Sequence, residues 1–390
     1  MLEYTPRVSG TEQLIMSSTQ NSGRVHKIAS IPGDGIGIEV IEQTVKVLRT
    51  IEILFQSFTL DIDTLDWSSR RYLEQGEYIP ADGWQRLKEK DAILFGAVGS
   101  PDVRDDISLW SLILPLRKNL NQYINLRPIR ILPGLSAPLK DCVVGDLDWV
   151  IVRENSEGEY SGQGGATHDG TPHTVATEVA VFTRVGIERT MRFAFDVARA
   201  RPRKLLTLVT KSNAQRHGMV LWDKIFHEVA REYPDVRTDK MLVDAMTVRM
   251  VQRPRTLDTI VASNLHGDIL SDLAAALAGS IGVAASSNLD PTRKNPSLFE
   301  PIHGSAPDIA GHGVANPIGA FWSAAEMLRW LGEGVAANLL MEAIETVTDS
   351  GIKTRDLGGQ CGLTEVTDAV ILELQRSYSS ALEVNEAPLS

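Results

Sequence analysis

Residues 27–48 read KIASIPGDGIGIEVIEQTVKVL: a short apolar run, a loop with glycine at every second position, then apolar residues at helical spacing. Strand, glycine loop and helix in that order open a βα unit. AILFGAVGSP (92–101) repeats strand and turn, and WVIVRE (149–154), KLLTLVTK (204–211) and DTIVASN (258–264) read as further strands with helical patterns between them. The alternation predicts an α/β fold with a largely parallel sheet, whose ligands collect at the carboxyl ends of the strands. The segment 315–348 is strongly helical and is expected to cover the sheet formed by the N-terminal part. GDGIGIEV is close to the dinucleotide fingerprint GxGxxG, but Ile38 stands where the third glycine belongs, so the standard Rossmann reading is weak. The loop either offers free N–H groups to an anion or is a tight turn.

A chain of 390 residues, 43% hydrophobic and 23% charged, has room for two domains with real cores. A formal charge of -11 argues against nucleic acid or an anionic membrane as partner, so an anionic substrate must be held by local cations. The only two cysteines, Cys142 and Cys361, form neither a CxxC nor a His cluster, which points away from a disulfide framework or a zinc site. No apolar stretch is long enough to span a bilayer. Residues 1–24 are polar and Ser/Thr-rich and are expected to be a flexible extension; a cytoplasmic protein fits best, and a mitochondrial matrix protein would look the same. GQGGATHDGTPH (162–173) followed by TVATEVAVFTR suggests an exposed hairpin or an arm packing on another subunit.

NLHGDILSD (264–272) sets Asp268 and Asp272 one helical turn apart on one face. Such a pair repels itself unless a cation lies between, and carboxylates alone suit Mg²⁺ or Mn²⁺ better than zinc. The alternative is an acidic first turn complementing the helix dipole. His266, just before the pair, is expected to be a surface residue, the alternative being support for the metal site. Arg117 and Arg127 in LPLRKNLNQYINLRP and Arg153 in VIVRENSEGEY could singly be surface or salt-bridge residues. Together with a diacid metal site they suggest a substrate with more than one carboxylate, because guanidinium forks bind carboxylates bidentately. Tyr160 and Lys211 each follow a predicted strand. A lysine held beside a divalent cation and arginines could serve as a general base.

IPGDGIG, LRKNLNQYINLRP, RENSEGEY, TKSN, NLHGDILSD and EPIHGSAPDIAGHGVANP together resemble the isocitrate and 3-isopropylmalate dehydrogenase family of decarboxylating dehydrogenases, over Lys27 to about Leu374. ISLWSLILPLRKNLNQYINLRP and VVGDLDWVIVRENSEGEYSG are most similar to its tartrate and D-malate dehydrogenase branch. The resemblance implies a two-domain isopropylmalate-dehydrogenase-like α/β fold with a mostly parallel central sheet, not a standard Rossmann fold. It further implies a larger cofactor-binding domain (25–122 plus 280–390) and a smaller dimerisation and metal/substrate domain (123–279) with an arm at 162–184.

By the same resemblance Arg117, Arg127 and Arg153 grip the substrate carboxylates, and Asp268 and Asp272 bind Mg²⁺ or Mn²⁺ with Asp244 of the partner subunit. Lys211, also from the partner, is the base and Tyr160 the acid, in a homodimer with shared sites. NAD is expected along His303, Gly304, Ser305, Ala306, Asp308 and Asn316, with Asn213 nearby. Asp308 would accept from both ribose hydroxyls and repel a 2′-phosphate. The chemistry implied is hydride transfer from C2 to the nicotinamide followed by loss of the C3 carboxylate as CO₂. Trp110, Ile113 and Leu114 fall where the C3 substituent would be read, and Trp110 should fill the volume an isopropyl group needs, favouring D-malate or tartrate. Pro115 is expected to interrupt this helix and bend it. The competing readings are 3-isopropylmalate oxidation and a non-catalytic regulatory homologue; loss of the base, the acid or a metal carboxylate would mark the latter, and none is missing.

Overall fold

The computed structural model describes residues 23–386. Most of the expected N-terminal extension lies outside the described residues, but Arg24 already opens the first strand and pairs with Glu333 at 3.1 Å. The strands are β1 (Arg24–Gly33), β2 (Phe58–Thr64), β3 (Ala92–Ala97), β4 (Ile124–Arg130), β5 (Asp148–Glu154), β6 (Gly158–Thr167), β7 (Val175–Val181), β8 (Leu205–Thr210), β9 (Arg237–Leu242), β10 (Thr259–Ala262), β11 (Ala285–Leu289) and β12 (Ser297–Pro301). Ten of them form one sheet in the order β2-β1-β3-β12-β11-β4-β5-β10-β8-β9. Both outer thirds are parallel, as the βα alternation predicts. The run β12, β11, β4, β5 at the centre is antiparallel.

The inner parallel strands are buried on both faces, as covering helices require: every residue of β3 is buried, and Ile28, Ala29 and Ile31 of β1 expose nothing. Helices Ile36–Phe55, Ile318–Trp330 and Gly334–Asp349 press Val47, Leu48, Phe321 and Leu340 into the largest core cluster. Of the helical segment 315–348, helix Ile318–Trp330 packs on the sheet, on β3 as expected but more on β11 and β12, and helix Gly334–Asp349 packs on that helix and on Leu363–Glu386. Fully burying one such side chain contributes roughly 1.5–3 kcal/mol. β6 and β7 leave the sheet as a two-stranded antiparallel hairpin, with Val175 and Val179 half exposed.

Pro115 does not break its helix. The turn ahead of it widens instead: residues Asp105–Ser108 are α-helical, Leu109–Ile113 form a π turn, and Leu114–Asn119 resume the α form with Pro115 in the first turn. The N–H of Leu114 reaches back to Leu109 O, and the wider ring makes room for a pyrrolidine that lacks an N–H and would crowd the preceding carbonyls.

Candidate active site

Helix Asn264–Leu277 follows β10 directly and has no acidic residue in its first turn. Asp268 and Asp272 lie deeper, beyond the reach of the dipole at the N-terminus, so a capping role does not explain them. Gly267 brings the helix hard against β5. A Cβ at Gly267 would stand 2.7 Å from Arg153 Cβ and Cγ.

That contact assembles the charges. Arg153 is bonded through Nη1 to Asp268 Oδ1 and through Nε to Asn264 Oδ1 at 2.9 Å. Tyr160, on β6, donates its hydroxyl to Asp268 Oδ2 at 3.0 Å. Arg127 Nη1 lies 3.4 Å from Asp268 Oδ1 and 3.5 Å from Asp272 Oδ1, and also donates to Ser271. Arg117, at the end of the π-containing helix, points Nη2 at Glu300 at 3.6 Å. Of the residues that sequence reasoning placed in the catalytic, substrate and metal site, the structure brings six together: Arg117, Arg127, Arg153, Tyr160, Asp268 and Asp272. Sequence reasoning missed the polar residues behind them, Asn125, Asn264, Ser271, Asn288 and Glu300, whose residue types carry no signal on their own.

All three guanidinium groups are buried. Burial, then repulsion from Arg153, pulls Arg127 down to about 10 and lowers Arg117 too, yet both stay charged at neutral pH. Burial works to raise Asp268, but Arg153, Arg127 and Arg117 prevail and hold it below the ordinary carboxylate range. Asp272 is raised, by burial and by repulsion from Asp268 that Arg127 only partly offsets. Burial, then the Asp268 charge, raises Tyr160, so its hydroxyl keeps its proton.

The donor set fits a hard divalent cation. Asp268 and Asp272 supply oxygens only, and among the described residues no third His, Cys, Asp or Glu joins them within one chain; Mg²⁺ and Mn²⁺ accept such a set with water and substrate completing it. Lys211, just after β8, bonds to Asp244 of helix Val243–Gln252, and the Asp244 carboxylate is 64% exposed. Among the described residues Asp244 forms no metal-binding cluster with Asp268 and Asp272 within one chain.

His266 corrects an expectation. It is buried, not at the surface, with Nδ1 unpartnered and its charged form disfavoured by burial against the pull of Glu159. The helix packs on two sides, burying Asn264, His266, Gly267, Leu270 and Ser271 together, so its apolar stripe understates its buried face.

The glycine loop after β1 buttresses the expected cofactor loop. Gly35 has φ 54, its Cβ would fall 2.0 Å from Ser305 O, and the next residue, Ile36, donates its N–H to that same oxygen at 2.8 Å. Beside it Ala306 adopts a left-handed φ of 38. His303 Nδ1 donates to Gly304 O at 2.9 Å, which leaves Nε2 as an acceptor, buried and unpartnered. Gly304 and Asp308 are exposed, and Asn316 is fixed by Asp356 and the Ile318 N–H. An orphaned acceptor beside an open glycine and an exposed carboxylate suits an adenosine. Asn213 is exposed in the turn after Lys211.

Trp110 is 41% exposed and lies against the root of the hairpin, where a Cβ at Gly162 would meet its ring at 2.7 Å. Lys118 Nζ stands 5.2 Å from the centre of that ring. Leu114 is buried, and Ile113 belongs to an apolar cluster with Leu112 and Leu116. Trp110 thus offers most of the surface on this helix face.

The chain matches the isocitrate/isopropylmalate dehydrogenase family over residues 27–370 and belongs to it, which makes the protein an oxidoreductase. It is 61% identical over 347 residues, 89% of this chain and 97% of the relative, to a probable tartrate dehydrogenase/decarboxylase of Agrobacterium vitis. It is 47% identical over 351 residues, 88% of this chain and 97% of the relative, to the decarboxylating D-malate dehydrogenase of Escherichia coli. Among solved structures, isocitrate dehydrogenase from Methylococcus capsulatus superposes with a TM-score of 0.81 at 35% identity, covering 90% of this chain and 99% of that one.

Proposed function

We propose that the protein is an NAD-dependent and divalent-metal-dependent decarboxylating dehydrogenase of a small 2-hydroxy dicarboxylate, D-malate or a tartrate. The observation that carries this reading is the convergence of Arg127, Arg153 and Tyr160 on Asp268, with the buried Arg117 near enough to lower its pKa as well. Three guanidinium groups so close together repel one another, and the two carboxylates of a diacid add the negative charge that stabilises them alongside Asp268, Asp272 and Glu300. The names of the similar bacterial enzymes agree.

Arg117, Arg127 and Arg153 would bind the two carboxylates and hold C2 and C3 of the substrate in place. Mg²⁺ or Mn²⁺ on Asp268 and Asp272 would supply Lewis acidity toward the C2 hydroxyl and the enolate oxygen left when CO₂ departs. Lys211 of the partner subunit would take the proton of the C2 hydroxyl, Asp244 of the partner subunit would help hold the metal, and bound NAD would supply the hydride acceptor. Tyr160, held protonated, delivers its proton to C3. On this reading the protein is a homodimer with shared sites, supported by the family likeness, with the β6–β7 hairpin as the arm between subunits. The larger domain (25–122 and 280–390) would carry NAD, Asp308 rejecting a 2′-phosphate, and the smaller (123–279) the metal. We place the enzyme in the cytoplasm.

The test is reduction of NAD, with NADP in parallel, by purified protein with Mn²⁺ on D-malate, L-tartrate, meso-tartrate, 3-isopropylmalate and isocitrate. D-malate or a tartrate with NAD should turn over fastest, and a chelator should abolish the rate. Preference for 3-isopropylmalate would overturn the substrate assignment and leave the catalytic groups standing. Inactivity on every substrate would favour a regulatory role.

A further inference from the structure

We propose that Asn125 and Asn288 are positioning residues that lock Arg127 and Arg117 into a single preformed grip for the substrate. The proposal rests on the reading of those arginines as substrate ligands. The antiparallel centre of the sheet makes it visible: the β4–β11 register sets Asn125 opposite Asn288, and the β4–β5 register sets Asn125 opposite Arg153. Directly opposed residues share a face of the sheet, so two amides with 0% and 1% exposure sit between the arginine-bearing elements.

Their hydrogen bonds run in one direction. Arg127 Nε donates to Asn125 Oδ1 at 2.7 Å, Asn125 Nδ2 donates to Asn288 Oδ1 at 3.0 Å, and Asn288 Nδ2 donates to Glu300 Oε1 at 2.7 Å. Glu300 Oε1 is also the atom facing Arg117 Nη2. An arginine can only donate and a carboxylate can only accept, so both amide orientations are dictated from the two ends. Asn155 adds a lock: its Nδ2 donates to the same Asn288 oxygen at 2.9 Å, and a flipped Asn288 would present a donor to that donor.

A buried polar path of this kind costs desolvation at every link and is tolerated only when every link is satisfied. What it yields is a fixed distance and tilt between two guanidinium groups on separate elements. A grip formed before the substrate arrives spares the binding step the entropy of ordering two long side chains.

The decisive variants are Asn288→Ala, which removes the link, and N288D, which keeps its size but sets an oxygen against Glu300. Loss of a charge-linked hydrogen bond should raise KM for D-malate or tartrate roughly tenfold to a hundredfold in both, with KM for NAD changed less than about twofold. In N288D, acidification from about pH 8 to about pH 6 should bring KM back toward the wild-type value, because a proton shared by the two carboxylates restores the donor; N288A should show no such recovery. Should N288A not fold, Asn125→Ala breaks the same path one link earlier and carries the same expectation. An unchanged substrate KM, or equal losses for diacid and NAD without recovery at lower pH, would overturn the proposal. Wild-type protein inactive on every diacid would instead refute the substrate reading, a result separate from variants that match an active wild type.

Discussion

Gly267 and Trp110 show how single residues set this site. The first is small because Arg153 fills the space where its side chain would be; the second is large where the substrate's C3 substituent is expected. Replacing Trp110 by Ala should shift the ratio of kcat/KM from D-malate toward 3-isopropylmalate by roughly tenfold or more, the scale of a few methylenes in an apolar pocket, measured by competing the two substrates. An unaltered ratio would place the discrimination elsewhere. The charged residues of the site were legible in the sequence because their motifs together matched a known pattern; singly, an arginine or an i, i+4 aspartate pair is as easily a surface feature. Asn125 and Asn288 were not legible, since asparagine is common. The one local cue was the spacing of Asn125 and Arg127, two apart on a strand and so on one face. His266 was misread because an amphipathic stripe describes only one of the two surfaces its helix buries.

At the scale of elements, β1, β3, β5, β8 and β10 were readable from apolar runs, whereas the edge strands β2 and β9 and the central β4, β11 and β12 were not. β4 contains Asn125, Arg127 and Pro128, and β11 reads ASSNL; both trade apolar side chains for the polar network, and so lose the signal by which strands are recognised. The glycine loop gave an incomplete fingerprint because its glycine serves a backbone contact with Ser305, in the loop proposed to carry the cofactor. Gly35→Ala, with a Cβ driven into Ser305 O at a positive φ, should raise KM for NAD about tenfold and destabilise the fold by about 1–3 kcal/mol, as read by kinetics and urea denaturation; a KM for NAD equal to wild type would show that the loop carries no cofactor strain.

The end of β2 is tied to helix Gly83–Lys88 and the residues after it. Asp63 lies 2.9 Å from Lys90 Nζ and 3.2 Å from Arg86, and its carboxyl is held below the ordinary value first by the Lys90 hydrogen bond, against the effect of burial. A depressed carboxylate contributes stability that is present above the unfolded value of 3.8 and fades as pH falls through the lower folded value. D63N should therefore be less stable than wild type by about 0.5–1 kcal/mol at neutral pH. The gap should close below 3.8, as followed by urea midpoints at a series of pH values. A gap that persists in acid would assign the effect to packing.

Across the whole molecule, β4, β5, β10 and β8 stand side by side and carry Arg127, Arg153, the helix of the acidic pair and Lys211 in turn; under the proposed function a second copy supplies Lys211 and Asp244 to each site. Mixing Lys211→Met with D268N protein under conditions of subunit exchange should restore about one quarter of wild-type activity, since half of the dimers then contain one intact site. Two inactive variants that stay inactive after exchange would confine each site to one chain. The union of oxidation and decarboxylation at this centre is tested most directly by following carbon-13-labelled D-malate with NAD and Mn²⁺ by NMR while recording NADH absorbance. Pyruvate, CO₂ and NADH should appear in equal amounts, with no build-up of oxaloacetate. NADH accompanied by accumulating oxaloacetate, or neither product at all, would contradict it.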